Sequence, residues 1–371
     1  MPSFYEFFAG GGMARAGLGK GWRCLFANDI DPKKASSYAE NWGGSKLKVG
    51  DVAGLRTADI PGRADLAWAS FPCQDLSLAG NGAGLEGGRS GAFWPFWEHI
   101  RNLGIEGRAP HIVVLENVRG ILSSHGGRDF AAIANELVHE GYRLGAVLID
   151  AAAFLPQSRP RVFIAGVLAG VEIPHRLERP GPDPLWHPAH LCSAHEKLSP
   201  RAKSAWIWWN LPEPARRADS LADVLESEPA SVNWHTAAET QRLLSMMSPV
   251  NRAKVEAARA TGRPVVGTIY RRIRQDKSGE RTQRAEVRFD NIAGCLRTPA
   301  GGSSRQTVLI VEGDRVRSRL LSPREVIRLM GLPDDYRLPK NYNEAYHLAG
   351  DGVAVPVVRF LAANLLEPVL Q

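Results

Sequence analysis

Cys73 stands in the run Ala69-Ser70-Phe71-Pro72-Cys73-Gln74-Asp75-Leu76-Ser77, between an apolar stretch (Ala64 to Ala69) that reads as a buried strand and a glycine-rich segment. Free cysteines usually serve as packing. A thiol set between a rigid proline and a flexible loop at a strand end is instead placed to attack. Four other groups could work with it. Phe7-Phe8-Ala9-Gly10-Gly11-Gly12-Met13 closes a first strand and opens a helix, where glycines let the backbone turn sharply and approach a ligand. Asn28-Asp29-Ile30-Asp31 and Gly50-Asp51-Val52 put acids at the ends of the second and third strands, from which a carboxylate can meet ribose hydroxyls or an adenine amino group. A nucleoside cofactor fits that set. Glu116-Asn117-Val118 ends a further apolar strand, and a carboxylate there is costly to bury without a partner. Gln157-Ser158-Arg159-Pro160-Arg161 leads into another, and strand alternation would turn Arg159 and Arg161 to one face. Surface exposure or structural ion pairing competes for each charged member.

The elements that must position these groups are legible as short apolar runs alternating with amphipathic stretches. The runs are Ser3 to Ala9, Cys24 to Asn28, Leu66 to Ser70, Ile112 to Glu116, Leu144 to Ile149 and Arg161 to Val167; the helical stretches are Met13 to Lys20, Pro32 to Asn41, Phe93 to Leu103 and Asp129 to Glu140. This alternation predicts an α/β domain with a mostly parallel sheet, open to ligands at the carboxyl ends of its strands. From about residue 175 the prolines at 174, 180, 182, 184 and 188 break any long element, and a second, irregular region follows to about 340. Within it Trp206-Ile207-Trp208-Trp209 reads as local core. Ser322-Pro323-Arg324-Glu325 has the form of a capping box opening a helix. The tail from Val353 to Leu370 has helical spacing and is expected to return to the first domain.

Charge narrows the partner. The 371 residues carry 46 Lys plus Arg against 39 Asp plus Glu, a net +7, and the excess lies between Arg252 and Arg328. A block dominated by arginine suits a polyanion, because the guanidinium fork matches phosphate and guanine edges. Cys24, Cys73, Cys192 and Cys295 are scattered with no Cys-x-x-Cys pair, so neither a disulfide framework nor a metal site is expected. No apolar run approaches the roughly 20 residues that span a bilayer and the start lacks a signal-peptide pattern, so the expected compartment is the cytoplasm.

In chain order, Phe8-x-Gly10-x-Gly12, the two acids, Pro72-Cys73-Gln74, Glu116-Asn117-Val118, Gln157-x-Arg159-x-Arg161, Pro323-Arg324-Glu325 and Gly350-x-x-Val353 resemble the motifs of the DNA (cytosine-5)-methyltransferase family, bacterial or phage type. The resemblance covers the chain except about 175 to 290. It implies a Rossmann-like S-adenosylmethionine-dependent methyltransferase domain at 1–175 plus 342–371, and a smaller, irregular target-recognition domain at 176–341. The implied reaction methylates C5 of a cytosine flipped out of double-stranded DNA. C5 is a poor nucleophile, so a thiolate must first add at C6. On the family pattern Cys73 makes that addition, Glu116 holds N3 and the amino group, Arg161 reaches O2 and Arg159 supports the site. Phe8, Gly10, Gly12, Asp29, Ile30, Asp51, Val52, Pro72, Asp351 and Val353 would meet the cofactor. Gln74, Ser77, Arg89, Asn117, Gln157, Arg271 and Arg272 would meet DNA, as would Thr298 to Gly302, and the glycine-rich loop 78–91 would close as a lid. A monomer without membrane contact is expected; a cognate restriction enzyme is a candidate partner whose existence the sequence leaves open. Three positions depart from the pattern: Met13 and Ser70 stand where the family often has glycine, and Asp351 where it usually has asparagine. Competing readings are a transfer-RNA cytosine methyltransferase on the same scaffold, a silent DNA-binding regulator, and a nicotinamide-dependent oxidoreductase.

Overall fold

Apolar runs too short for independent helices, separated by amphipathic ones, can bury both only as a central sheet with helices on its faces. A computed structural model describes residues 1–72, 90–275, 279, 281–297 and 305–371, and divides the chain into two compact units. The first comprises Met1–Asp150, Pro160–Ala215 and Gly352–Gln371; the second comprises Ala151–Arg159 and Arg216–Asp351.

In the first unit the strands are β1 (Ser3–Phe7), β2 (Arg23–Asp29), β3 (Leu47–Val49), β4 (Leu66–Ala69), β5 (Ile112–Val118), β6 (Tyr142–Asp150) and β7 (Pro160–Leu168), in the order β3-β2-β1-β4-β5-β7-β6. β3, β2, β1, β4 and β5 run parallel, whereas β7 is antiparallel to both β5 and β6. Helices α1 (Met13–Leu18), α2 (Pro32–Trp42), α3 (Phe93–Ile105) and α4 (Arg128–His139) accompany the sheet. α2 starts where the Asp31 carboxylate accepts the Lys33 N–H at 2.9 Å with Pro32 in the first turn, and stops at Gly43, which takes a positive φ. α4 buries Phe130, Ile133, Ala134, Leu137 and Val138, one stripe at helical spacing, in a core shared with Phe7, Phe96, Trp97 and Leu144.

The borders differ from the expected ones. Residues 176–215 belong to the first unit, because Leu144 of β6 pairs its N–H and carbonyl with Ala205 and Ile207. Trp209 is fully buried, and β8 (Glu178–Arg179) pairs with β9 (Trp208–Trp209). The indole run is core of this unit, and proline breaks misplaced the boundary. Residues 342–351 fall in the second unit, where the helix Tyr342–Asp351 places the Tyr346 hydroxyl 2.9 Å from the Gln306 N–H. The helical turns from Tyr342 to Val369 are together long and apolar enough to cross a membrane by composition; they break at residues 352–354 and divide between the two units.

The second unit is not irregular. A four-stranded antiparallel sheet in the order β11-β10-β12-β13 is built from β10 (Val265–Gln275), β11 (Arg281–Arg288), β12 (Thr307–Glu312) and β13 (Arg315–Leu320). Arginines on both faces of β10 and β11 conceal the period. The anticipated capping box is present: Ser322 Oγ accepts the Glu325 N–H, Glu325 returns to the Ser322 N–H, and the same carboxylate forms a buried ion pair with Arg319.

Gly145 in β6 has no room for a side chain, since a Cβ would lie 2.1 Å from the Ile207 carbonyl and 2.6 Å from the Trp209 indole nitrogen. Gly145→Ala should lower unfolding stability by about 1–3 kcal/mol, read as a depressed midpoint in thermal or urea denaturation; an unchanged midpoint contradicts the packing described.

Candidate active site

The turn after β1 is built from strain and backbone pairing. Phe8 is held at φ 57°, Gly10 at 53° and Gly12 at 77°, and only glycine accepts such values without cost. Gly10 N–H donates to Asp29 Oδ2 at 2.7 Å, and Asp29 Oδ1 accepts the Asp31 N–H at 2.8 Å. Burial pushes the Asp29 carboxyl up, and these amides pull it back. Asp29 therefore fixes the turn as well as ending β2. Asn28 donates to the carbonyls of Lys48 and Gly50, both at 2.9 Å, which sets β3 and the approach to Asp51. Asp51 is exposed and accepts the Ala53 N–H, while buried Val52 has its carbonyl 3.0 Å from His99 Nε2.

These residues suit a nucleoside ligand. A Cβ on Gly10 would meet nothing within 4 Å, so the space over the turn is open. Ile30 is 63% exposed, a large apolar surface beside the Asp29 strand end, and the exposed Asp51 carboxylate is an acceptor. Sequence spacing missed the support beneath the turn. Glu6 of β1 is 1% exposed and accepts the Arg15 N–H at 3.2 Å and the Tyr38 hydroxyl at 3.4 Å. Arg15 Nη1 donates to Tyr38 at 3.0 Å.

Glu116 and Arg161 meet through strand pairing. Val118 of β5 faces Arg161 of β7, so Glu116, two residues earlier, lies on the same face as its diagonal neighbour. Arg161 Nε is 3.0 Å from Glu116 Oε1, with both side chains largely buried, and Arg161 Nη1 donates to the Pro160 carbonyl. Ala69 at the end of β4 pairs with Leu115, and buried Asn117 donates to the Phe71 carbonyl at 3.2 Å. Asn117, expected at DNA, thus ties down the chain just before Pro72, itself half-buried. Ser70 accepts the Trp68 indole N–H at 3.0 Å, a use for its hydroxyl where the family often has glycine. Cys73, Gln74, Ser77, Arg89, most of the loop 78–91 and Thr298 to Gly302 lie outside the described residues.

Arg159 does not share a face with Arg161. β7 begins at Pro160, so strand alternation does not reach Arg159, which belongs to the second unit. There its guanidinium donates to the Leu296 carbonyl at 3.2 Å, the Gly350 carbonyl at 2.9 Å and Cys295 Sγ at 3.6 Å. Gln157, expected at DNA, is fully buried: its amide donates to the Leu329 carbonyl and accepts from Leu296 N–H. Asp351 ends its helix exposed, whereas Val353 is buried in the first unit.

Arg271 and Arg272 lie on a ribbon. β10 pairs with β12 from Val265 to Ile269 but with β11 from Thr268 to Gln275, so Tyr270–Gln275 and Arg281–Glu286 continue as two strands beyond β12. One face carries Tyr270, Arg272, Arg274, Thr282, Arg284 and Glu286, with Arg272 4.6 Å above the Tyr270 ring and Arg274 Nε bonded to Glu286 at 2.8 Å. The other carries Arg271, Gln275, Arg281, Gln283 and Ile273, which is 62% exposed. Among the described residues no group of three or more His, Cys, Asp or Glu is placed to hold a metal.

Burial pushes the Glu6 carboxyl up to about 8, from an ordinary value of 4.5. The folded state then keeps a proton that the unfolded chain releases, so this group's stabilisation is complete below about pH 4.5 and fades as pH rises through 8. Glu6→Gln should flatten the fall in unfolding midpoint between about pH 5 and 8.5; parallel profiles for the two proteins would exclude the effect.

The chain matches the family model described as C-5 cytosine-specific DNA methylase over residues 3–367. It is 25% identical to Type II methyltransferase M.HpaII of Haemophilus parainfluenzae, over 98% of this chain and 89% of that protein, and 26% identical to M.NlaX of Neisseria lactamica, over 98% and 96%. Solved structures share the fold: S. pombe Dnmt2 methyltransferase superposes with a TM-score of 0.58 at 18% identity, covering 99% of both chains. The Entamoeba histolytica methyltransferase EhMeth gives 0.61 at 13%, covering 100% of this chain and 98% of that one. An open glycine turn backed by acids, a carboxylate paired with an arginine at neighbouring strand ends, and a match across nearly the whole sequence agree: the chain belongs to the C-5 cytosine-specific DNA methylases, enzymes that methylate DNA cytosine with S-adenosylmethionine as donor.

Proposed function

We propose that this protein methylates C5 of a cytosine extruded from a specific double-stranded DNA sequence, through a transient bond between Cys73 Sγ and C6. The observation that carries the reading is the Glu116–Arg161 pair at 3.0 Å, on a strand whose next residue, Asn117, ties down the chain just before Pro72 and Cys73. Glu116 holds N3 and the exocyclic amino group, and Arg161 faces O2. As the S–C6 bond forms, N3 takes a proton on the Glu116 side, and C5 gains the electron density to take the methyl group. Loss of the C5 proton, return of the N3 proton to the Glu116 side and departure of the thiolate then restore the ring. Preorganised charge of this kind acts most strongly on the charge that develops during reaction. A stacked cytosine is out of reach of a thiol, so extrusion at a cost of a few kcal/mol is part of the cycle.

S-adenosylmethionine supplies an electrophilic methyl group. Gly10 and Gly12 allow close approach, Asp29 holds the turn and the ribose side, Ile30 offers an apolar face to the adenine, and Asp51 accepts from its amino group. Phe8, Val52, Pro72 and Val353 complete that wall. Arg159 acts from the second unit by holding Leu296 and Gly350. Gln74, Ser77 and Arg89 meet the DNA. Residues 216–351 recognise the target, with the ribbon of β10 and β11 entering the major groove, which admits a two-stranded ribbon. The enzyme works as a monomer in the cytoplasm, beside a restriction enzyme of the same specificity.

Duplex DNA carrying 5-fluorocytosine at the target should trap a covalent complex when cofactor is present, because fluorine does not leave as a proton does. Cys73→Ser should form none; a trapped adduct with that variant sinks the assignment. Replacing Arg271 and Arg272 by alanine should weaken DNA binding and reduce the salt slope of log K by about 1 for each phosphate that is no longer neutralised, with cofactor affinity unchanged. An unaltered slope and affinity would remove the ribbon from the interface.

A further inference from the structure

The peptide unit between Gly11 and Gly12 lies at the centre of the glycine turn, and both its polar ends are tied. Gly12 N–H donates to the Ala9 carbonyl at 2.8 Å, and the Gly11 carbonyl accepts the indole N–H of Trp42 at 2.9 Å. A planar unit with glycine on each side can rotate as a body at little steric cost. Hydrogen bonds therefore select its orientation, and one of them comes from a side chain at the far end of α2.

That indole is itself held in place. Arg15 Cζ lies 5.3 Å from the Trp42 ring centre and 5.7 Å from that of Tyr38, its Nη1 donates to the Tyr38 hydroxyl, and its backbone N–H is fixed by Glu6. The indole also abuts the turn: a Cβ on Gly12 would lie 2.4 Å from Trp42 Nε1. We propose that Trp42, braced by Arg15, is a positioning residue for S-adenosylmethionine, holding the Gly11–Gly12 peptide in the orientation the cofactor binds. This rests on reading Gly10–Gly12 as the cofactor's turn. Without the indole N–H only a fraction of molecules present a competent turn, and apparent affinity falls by that fraction while the saturated rate does not.

The test is cofactor binding by calorimetry in full-length protein with Trp42→Phe, and with benzothienylalanine at position 42, an isostere that has sulfur in place of the N–H. Both should raise the dissociation constants for S-adenosylmethionine and S-adenosylhomocysteine about 5- to 30-fold, the size of one net hydrogen bond to somewhat more. kcat at saturating cofactor and DNA affinity without cofactor should stay at wild-type values. The isostere keeps the ring, so it answers the question even where phenylalanine disturbs folding. Wild-type cofactor affinity in the isostere overturns the proposal, as does a fall in kcat at saturation with unchanged affinity. Gly10→Val separates the two levels by filling the space over the turn. If it loses cofactor while the isostere does not, the turn is the cofactor's and only the role of Trp42 fails; if it binds as wild type, both readings fail.

Discussion

The reversed direction of β7 is the constraint on which the candidate site depends. In a wholly parallel sheet the start of β7 would lie at the opposite edge from the end of β5. Running antiparallel, β7 brings its first residues beside the last residues of β5, and Arg161 meets Glu116. The same edge carries the glycine turn after β1, the acids after β2 and β3, and the chain that leaves β4 towards Pro72. One inverted strand thus gathers a guanidinium from a strand start with groups that all come from strand ends. The pair is largely buried, so removing either partner would leave a charge without compensation, which costs far more than the pair contributes.

Much of the first unit was legible because its signals are local. Apolar runs and amphipathic stretches placed the strands from β1 to β7 other than β3, and α1 to α4, to within a few residues. The glycine turn after β1 and the cap at Ser322 were equally local. What escaped has long-range causes. No spacing rule reports that Trp42 reaches back to Gly11, or that Asn117 serves Phe71, because each contact depends on how distant segments pack. The second sheet was missed for a different reason. On the exposed ribbon of β10 and β11 arginines stand on both faces, so the two-residue alternation that marks a half-buried strand is absent.

Several polar residues expected to face ligand donate to backbone. Asn117, Gln157 and Arg159 donate to the carbonyls of Phe71, Leu329, Leu296 and Gly350. A buried carbonyl left unpaired is expensive, and a long side chain is one of the few ways to satisfy it where neither helix nor sheet can. Motif residues can therefore shape the segments around a site as well as line it.

Because Gln157 and Arg159 are part of the second unit although they lie between two strands of the first, that unit is made of two stretches of chain. Exchange of 216–351 between relatives by recombination therefore cannot treat that stretch as a free cassette. An incoming segment would have to accept the resident Gln157 and Arg159 at its own counterparts of Leu296, Leu329 and Gly350, or bring its own version of 151–159. Those few carbonyls act as a compatibility key that decides which grafts fold.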